Sequence, residues 1–137
     1  MTPEERSEID SSIIDLTPDS SPRENGRRNC KFIIIEYQDK LHLVFGDVST
    51  HKYHANLLYE FCNRHGIAVD WVHEPDLLEP LDSSIDILGG GFLELNVVEQ
   101  KATFSGASKA YGPFHLHQLE AILTASPQFA SMTIRSC

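Results

Sequence analysis

A turn that is rich in glycine and proline and contains a lysine is the stretch of this chain best suited to bind an anion. It spans residues 108–113 and joins a strand-like run to a helix-like one. Gly106, just before this turn, and Gly112 let the backbone approach a ligand closely, and the free N–H groups of a helix start favour negative charge. We expect Pro113 to begin the helix. The alternative is that glycine and proline only mark a turn between two packed elements.

His54, near the start of a predicted helix, is the candidate for proton transfer, because histidine changes charge nearest to neutral pH. The positive end of a helix dipole lowers the pKa of an imidazole, which keeps the ring neutral and able to accept a proton from water. The alternative is an ordinary surface or half-buried helix histidine. His51 lies three residues earlier, but no third ligand follows at a recognisable spacing, so we predict no metal site.

The elements that must position these residues alternate from Cys30 onward. Apolar runs at 31–37 and 41–45 predict a hairpin, and Ser49 or Thr50 can cap a helix that ends at Gly66. After this first helix, the patterns predict strands at 67–72, 86–88, 92–97 and 102–104, with a loop at 74–84. A second helix from 113 and a last strand at 129–134 follow. These elements predict a single α+β domain, in which two helices cover a mixed, mostly antiparallel sheet.

Four patches in this order resemble the Janus/Ocnus family, which includes the eukaryotic phosphohistidine phosphatases. They are Lys31-Phe32 at the start of a strand, residues 53–56 (Tyr-His-Ala-Asn) on the first helix, the glycines 89–91, and the 108–113 turn. The resemblance covers about residues 31 to 135. It implies a hydrolase that removes phosphate from phosphohistidine, or from phospholysine, on a protein substrate. It also implies that His54 is the general base on the attacking water, with no metal or other cofactor.

The resemblance implies a set of substrate-binding residues as well, namely Lys31, Tyr53, Ser108, Lys109 and Ala110. Two positions depart from the family's pattern, because Phe45 and Phe92 stand where the phosphatases have arginines. Arginine grips phosphate with a planar fork that phenylalanine lacks. A non-catalytic phosphate- or protein-binding module of the same fold is therefore the alternative to the enzyme. A third option is a vestigial cleft with a tail that carries the function.

Residues 1–29 differ in composition from the domain predicted over residues 30–137. They are rich in serine, proline and acidic residues, which predicts a disordered tail. Within this tail, Ile13, Ile14 and Leu16 have acidic and phosphorylatable neighbours and resemble a SUMO-interacting motif, which binds by adding a strand to a partner's sheet. The alternative is an incidental apolar patch in a flexible tail.

Charge and composition narrow the class of protein. A net charge of −9 argues against a nucleic-acid partner, and no apolar run approaches the ~20 residues of a membrane helix. The start of the chain lacks the basic and apolar regions of a secretory signal, so we expect a cytoplasmic protein. Cys30, Cys62 and Cys137 are widely spaced and predict free thiols. A chain of 137 residues supports one core, and we expect a monomer.

Overall fold

Ten strands and three helices make up the computed structural model, which describes residues 10–17, 26–74, 76–130 and 132–136. In chain order the elements are β1 (Asp10–Asp15), β2 (Arg27–Tyr37), β3 (Lys40–Asp47), α1 (His54–Arg64), β4 (Val69–His73), β5 (Leu77–Pro80), β6 (Ile85–Asn96), β7 (Lys101–Ser105), β8 (Ala107–Ser108), β9 (Gly112–Pro113), α2 (Leu116–Thr124), α3 (Pro127–Ala130) and β10 (Thr133–Ser136). They form a single α+β domain with a mixed sheet, which confirms the predicted fold class.

The main sheet has the strand order β1-β3-β2-β6-β7-β10, and β8 and β9 join it beside β6. The β2–β3, β2–β6 and β6–β7 pairs are antiparallel, whereas β1–β3 and β7–β10 are parallel. The β4–β5 hairpin forms a separate two-stranded sheet. Residues 32–35 of β2 are fully buried, because α1 packs on one face of the sheet and α2 on the other.

Helix α1 begins later than the sequence predicts, and the cap at Ser49 or Thr50 is wrong. Tyr53 is the N-cap, and its backbone N–H donates to the side-chain oxygen of Asn56 at 2.9 Å. The Thr50 hydroxyl instead donates to the backbone oxygen of Asp47. As a result His54 is the first residue of the helix. The predicted end is right, because Gly66, with a φ of 67°, follows the C-cap residue.

Several other predicted elements have different boundaries in the structure. The strands expected at 86–88 and 92–97 are one strand, β6, which continues through the triple glycine. The expected loop at 74–84 contains β5. Pro113 does not begin α2, because it pairs with Gly90 in the sheet and the helix starts three residues later. Phe129, expected in the last strand, lies in the short helix α3.

The predicted disorder of residues 1–29 is wrong for residues 10–17 and 26–29, while residues 1–9 and 18–25 lie outside the described parts of the chain. Strand β1 pairs in parallel with β3, with Ile13 opposite Leu43. Leu16 is buried, and Ile13 and Ile14 pack against the cores on opposite faces of the sheet. Strand β1 is therefore an edge strand of the protein's own sheet, and the apolar residues of the SUMO-like motif pack on its cores.

A buried ion cluster holds the end of β1 against the domain. The Arg28 guanidinium donates to both carboxylate oxygens of Asp15, at 2.8 and 3.0 Å, and to Asp47 at 2.6 and 2.9 Å. It also donates to the hydroxyl and the backbone oxygen of Thr17. Arg28 is 7% exposed and Asp47 is 3% exposed, so water contributes little to their solvation. The hydrogen bonds to Asp15 are the largest cause of a raised pKa for Arg28.

The packing of His42 predicts that the fold loses stability in mild acid. His42 is buried on β3, and its Nδ1 lies 2.6 Å from the Ser12 hydroxyl of β1. Burial is the main cause that lowers its pKa below the ordinary value of 6.5. Above pH 6.5 both folded and unfolded chains hold a neutral ring. As the pH falls, the unfolded chain takes up the proton first, so the free energy of unfolding decreases until the folded-state pKa is reached.

Urea denaturation at a series of pH values measures this effect. We expect the free energy of unfolding of His42→Gln to fall less steeply below pH 6.5 than that of the wild type. His117→Gln, a change of an exposed histidine, is the matched control and should follow the wild type. His54 contributes in the same direction as His42, because its pKa is also lowered. Equal slopes for wild type and His42→Gln would show that His42 does not titrate differently on folding.

Cys30 and Cys62 are buried free thiols, and burial is the largest cause that raises their pKa values to about 12 and about 11. Cys137 lies outside the described residues. Within those residues, no helix is long and apolar enough to cross a membrane.

Candidate functional site

A cavity of about 870 Å³ opens between the start of α1, the middle of β6, the β4–β5 hairpin and the loop after β7. Its lining includes every residue for which the sequence predicts a catalytic or substrate-binding role. The lining residues are Lys31, Tyr53, His54, His73, Asp76, Leu77, Phe92, Ala107, Ser108, Lys109 and Ala110. The fold thus brings together side chains that lie up to 79 residues apart in the sequence. Their chemical roles stay predictions.

His54 is held in one orientation at the wall of this cavity. It is 6% exposed, and its Nε2 lies 2.9 Å from the backbone oxygen of Gly91. A carbonyl oxygen only accepts, so Nε2 carries a proton and the lone pair of the neutral ring is on Nδ1. Gly90 allows this approach, because a Cβ there would lie 3.3 Å from the His54 ring and would clash with the Phe32 backbone oxygen.

The surroundings of His54 favour the neutral ring. Burial is the largest influence and lowers its pKa. The hydrogen bond to Gly91 opposes this effect, and the positive charge of Lys31 adds to it. The sequence predicts a lowered pKa from the helix dipole, and the structure gives the same direction with burial as the main cause. His54 is therefore able to accept a proton through Nδ1 near neutral pH.

Lys31 and Lys109 line the same cavity, and Lys52 lies beside the Tyr53 ring in its wall. Among the described residues, Lys31, Lys52 and Lys109 form no ion pair. Burial is the main cause that lowers the pKa of Lys31, and the charge of Lys52 lowers it further. The Lys52 ammonium lies 5.6 Å from the centre of the Tyr53 ring. Because Lys31 and Lys52 repel each other, an anion bound beside Lys31 would relieve their repulsion.

The turn that contains Ser108 offers hydrogen-bond donors to such an anion. Ser108 is buried, and its hydroxyl oxygen accepts the backbone N–H of Tyr111 at 3.0 Å. The backbone N–H groups of Lys109 and Ala110 donate to no described residue, and neither lies in a strand or helix. Concave runs of free N–H groups bind anions in many proteins. The predicted contribution of a helix start is absent here, because α2 begins five residues after Tyr111.

Of the two phenylalanines at arginine positions of the resembled family, only Phe92 borders the cavity. Phe45 is fully buried in the core, where it faces away from the site residues. Phe92 is 42% exposed and lies opposite Lys31 in the β2–β6 pair. The Lys31 ammonium is 5.4 Å from the centre of the Phe92 ring, and the His54 ring centre is 5.8 Å from it. Phe92 therefore lies beside both the lysine and the histidine.

Gly106 has a different role from the one predicted. Its φ is 72°, and a Cβ at this position would lie 2.8 Å from the Phe92 ring. The missing side chain therefore makes room for Phe92 instead of for a ligand.

Sequence reasoning missed the side of the cavity formed by the β4–β5 hairpin. His73, Asp76 and Leu77 line the cavity, yet they fall at the edge of, or within, the predicted loop at 74–84. The contact of this hairpin with the site depends on tertiary packing. The only sequence signal is a histidine and an aspartate three residues apart, and that spacing is common in loops.

No cluster of three or more histidine, cysteine, aspartate or glutamate side chains that could hold a metal ion occurs in residues 10–17, 26–74, 76–130 and 132–136. His51 contacts Glu60 at 2.8 Å, whereas His54 points to Gly91. The two histidines that are three residues apart thus have different partners.

Comparisons with models of known protein families and with curated proteins give no match for this chain. The family and the activity of this chain are therefore proposals.

Proposed function

We propose that this protein is a divergent Janus/Ocnus-like phosphatase that hydrolyses phosphohistidine on a protein substrate. The observation that carries the proposal is the orientation of His54. Its Nε2 is hydrogen-bonded to Gly91, and its surroundings favour the neutral ring. It lines a cavity together with Lys31, Lys109 and the 109–110 backbone N–H groups, which donate to no described residue. In this mechanism His54 Nδ1 accepts a proton from the water that attacks phosphorus. Lys31, Lys109 and the 108–111 turn bind the phosphoryl oxygens, and Tyr53 lines the entrance for the phosphorylated side chain.

The electrostatics of the site support this assignment. The protein carries a net charge of −9, so it does not attract anions at long range. The cavity nevertheless holds Lys31, which forms no ion pair among the described residues, and Lys109, whose charge acts on the Asp76 carboxylate. A local positive site can bind a phosphoryl group on a protein surface even in an acidic protein. The charges then interact at short range, where salt screens their attraction little.

The test is phosphate release from a phosphohistidine-containing peptide by the purified full chain. The proposal predicts multiple turnovers without added metal. Phosphate titration followed by backbone amide shifts runs alongside and should move the signals of residues 108–111 first. Turnover supports the enzyme. Binding at this turn without turnover would instead support the non-catalytic module.

Phe92 is the observation that favours the module, because it occupies the cavity wall with an apolar ring in place of a phosphate-binding fork. We therefore predict that Phe92→Arg tightens phosphate binding by about tenfold, since a charge-assisted pair of hydrogen bonds contributes about 1.5–3 kcal/mol and repulsion from Lys31 offsets part of it. The measurement is the same amide titration at two salt concentrations.

Phe92→Leu is the matched control for this prediction. It removes the ring but adds no charge, so phosphate affinity should stay near that of the wild type. Equal affinities of Phe92→Arg and Phe92→Leu would show that position 92 does not reach the bound anion.

A cytoplasmic location, where phosphorylated protein substrates and free thiols occur together, belongs to the proposal. A SUMO-like partner of Ile13, Ile14 and Leu16 stays a second proposal. It requires β1 to leave β3, because these three side chains pack against the protein's own core.

A further inference from the structure

The β4–β5 hairpin brings a second histidine to the cavity, to which the mechanism above gives no role. His73, at the end of β4, and Asp76, just before β5, line the cavity together with His54 and Lys109. The His73 Nδ1 lies 2.8 Å from a carboxylate oxygen of Asp76. The backbone N–H of Asp76 also donates to the backbone oxygen of His73 at 3.0 Å. These two contacts fix the imidazole relative to the tip of the hairpin.

Tyr111 fastens this hairpin to the anion-binding turn. The Tyr111 hydroxyl donates to the backbone oxygen of Leu78 at 2.9 Å and accepts the backbone N–H of Leu78 at 3.1 Å. The backbone N–H of Tyr111 in turn donates to Ser108. Leu78 is fully buried in β5. The hairpin and the turn therefore share a connected set of hydrogen bonds, so His73 is placed relative to the site of the phosphoryl group.

The two histidines of the cavity have opposite surroundings. His54 is buried beside the cation Lys31, whereas His73 has a carboxylate partner and a side chain that is 74% exposed. The hydrogen bond from His73 is the largest cause that lowers the pKa of Asp76, and the charge of Lys109 adds to it, so the carboxylate stays ionised. Asp76 holds the Nδ1 proton of His73, which leaves Nε2 as the nitrogen that exchanges a proton with a ligand or with water.

We propose that His73, oriented by Asp76, donates the proton that the leaving nitrogen of the phosphorylated substrate needs. The inference rests on the proposed function and adds the acid to the base His54. Sites that separate two titratable groups into unlike environments commonly use one as acid and the other as base. Asp76 does not touch the substrate and is a positioning residue.

The step balances as follows. The oxygen of water forms a bond to phosphorus and gives a proton to His54 Nδ1. The P–N bond breaks, its electron pair stays on the ring of the departing imidazole, and the proton from His73 Nε2 makes that ring a neutral leaving group. His73 then takes a proton back from solvent, to which it is exposed, and His54 releases its proton to water or to the departing phosphate. The products are inorganic phosphate and the unmodified histidine of the substrate.

Two substrates with different leaving groups test the role of His73. A nitrophenolate leaves without taking up a proton, whereas cleavage of a P–N bond needs a proton on the leaving nitrogen. The full chain is assayed with a phosphohistidine peptide and with para-nitrophenyl phosphate. We expect His73→Gln to lower kcat for the peptide by about 100-fold and to change kcat for the ester little. Asp76→Asn should give a smaller loss with the same preference. Asp70→Asn, an exposed change on the same hairpin but outside the cavity, is the control and should match the wild type.

The outcomes separate the two proposals. Equal losses on both substrates, or no loss on the peptide, would overturn the role of His73 and leave the proposed function standing. Absence of turnover by the wild type on both substrates would overturn the proposed function and, with it, the acid.

Discussion

Arg28→Met is expected to lower the free energy of unfolding by about 3 to 5 kcal/mol, the range for removing one partner of a buried ion pair. The substitution removes the two hydrogen bonds that the guanidinium donates to Asp47, a residue that is 3% exposed. It also removes the contacts to Asp15 and Thr17, which hold the end of β1. Urea denaturation gives the free energy, and limited proteolysis should show faster cleavage near residues 10–17.

Two controls separate the geometry of Arg28 from its charge. Arg28→Lys keeps a positive charge but loses the planar fork, so we expect a smaller loss than for methionine. Arg27→Met changes an exposed neighbour on the same strand and should alter stability by no more than about 0.5 kcal/mol. If Arg28→Met and Arg27→Met have the same stability, the buried cluster does not hold β1.

The central elements of the fold could be predicted because their signals are local. The apolar run in β2, the alternation in β3 and the turn between them predict a hairpin, and residues 38 and 39 indeed adopt the positive φ of a tight turn. The apolar spacing of α1 and the glycine after it define that helix.

Strand β1 could not be predicted from local composition. Its serine and aspartate residues are typical of disorder, yet it is held by partners that lie far away in the sequence. Asp15 meets Arg28 13 residues later, and the Thr17 hydroxyl accepts the backbone N–H of Asp47 30 residues later. A composition window cannot detect such pairing, because each side chain has its partner only in the folded sheet.

The candidate site could be predicted only in part, because some of its features depend on local sequence and others on tertiary packing. His54 and the 108–113 turn carry their chemistry in residue type and short spacing. The burial of Phe45, the contact of Gly106 with Phe92, and the arrival of His73 at the cavity all depend on tertiary packing. Phe45 and Phe92 both occupy arginine positions of the resembled family, and the sequence does not distinguish them. Only the sheet register places Phe92 beside Lys31.

The most direct measurement compares initial rates of phosphate release from a phosphohistidine peptide by the wild type, His54→Gln and His117→Gln. Glutamine can still donate to the Gly91 oxygen but has no basic nitrogen, so the variant tests the base with its buried hydrogen bond retained. We predict that His54→Gln lowers the rate by at least about 100-fold and leaves phosphate binding unchanged, and that His117→Gln keeps full activity. Equal rates for wild type and His54→Gln would contradict it.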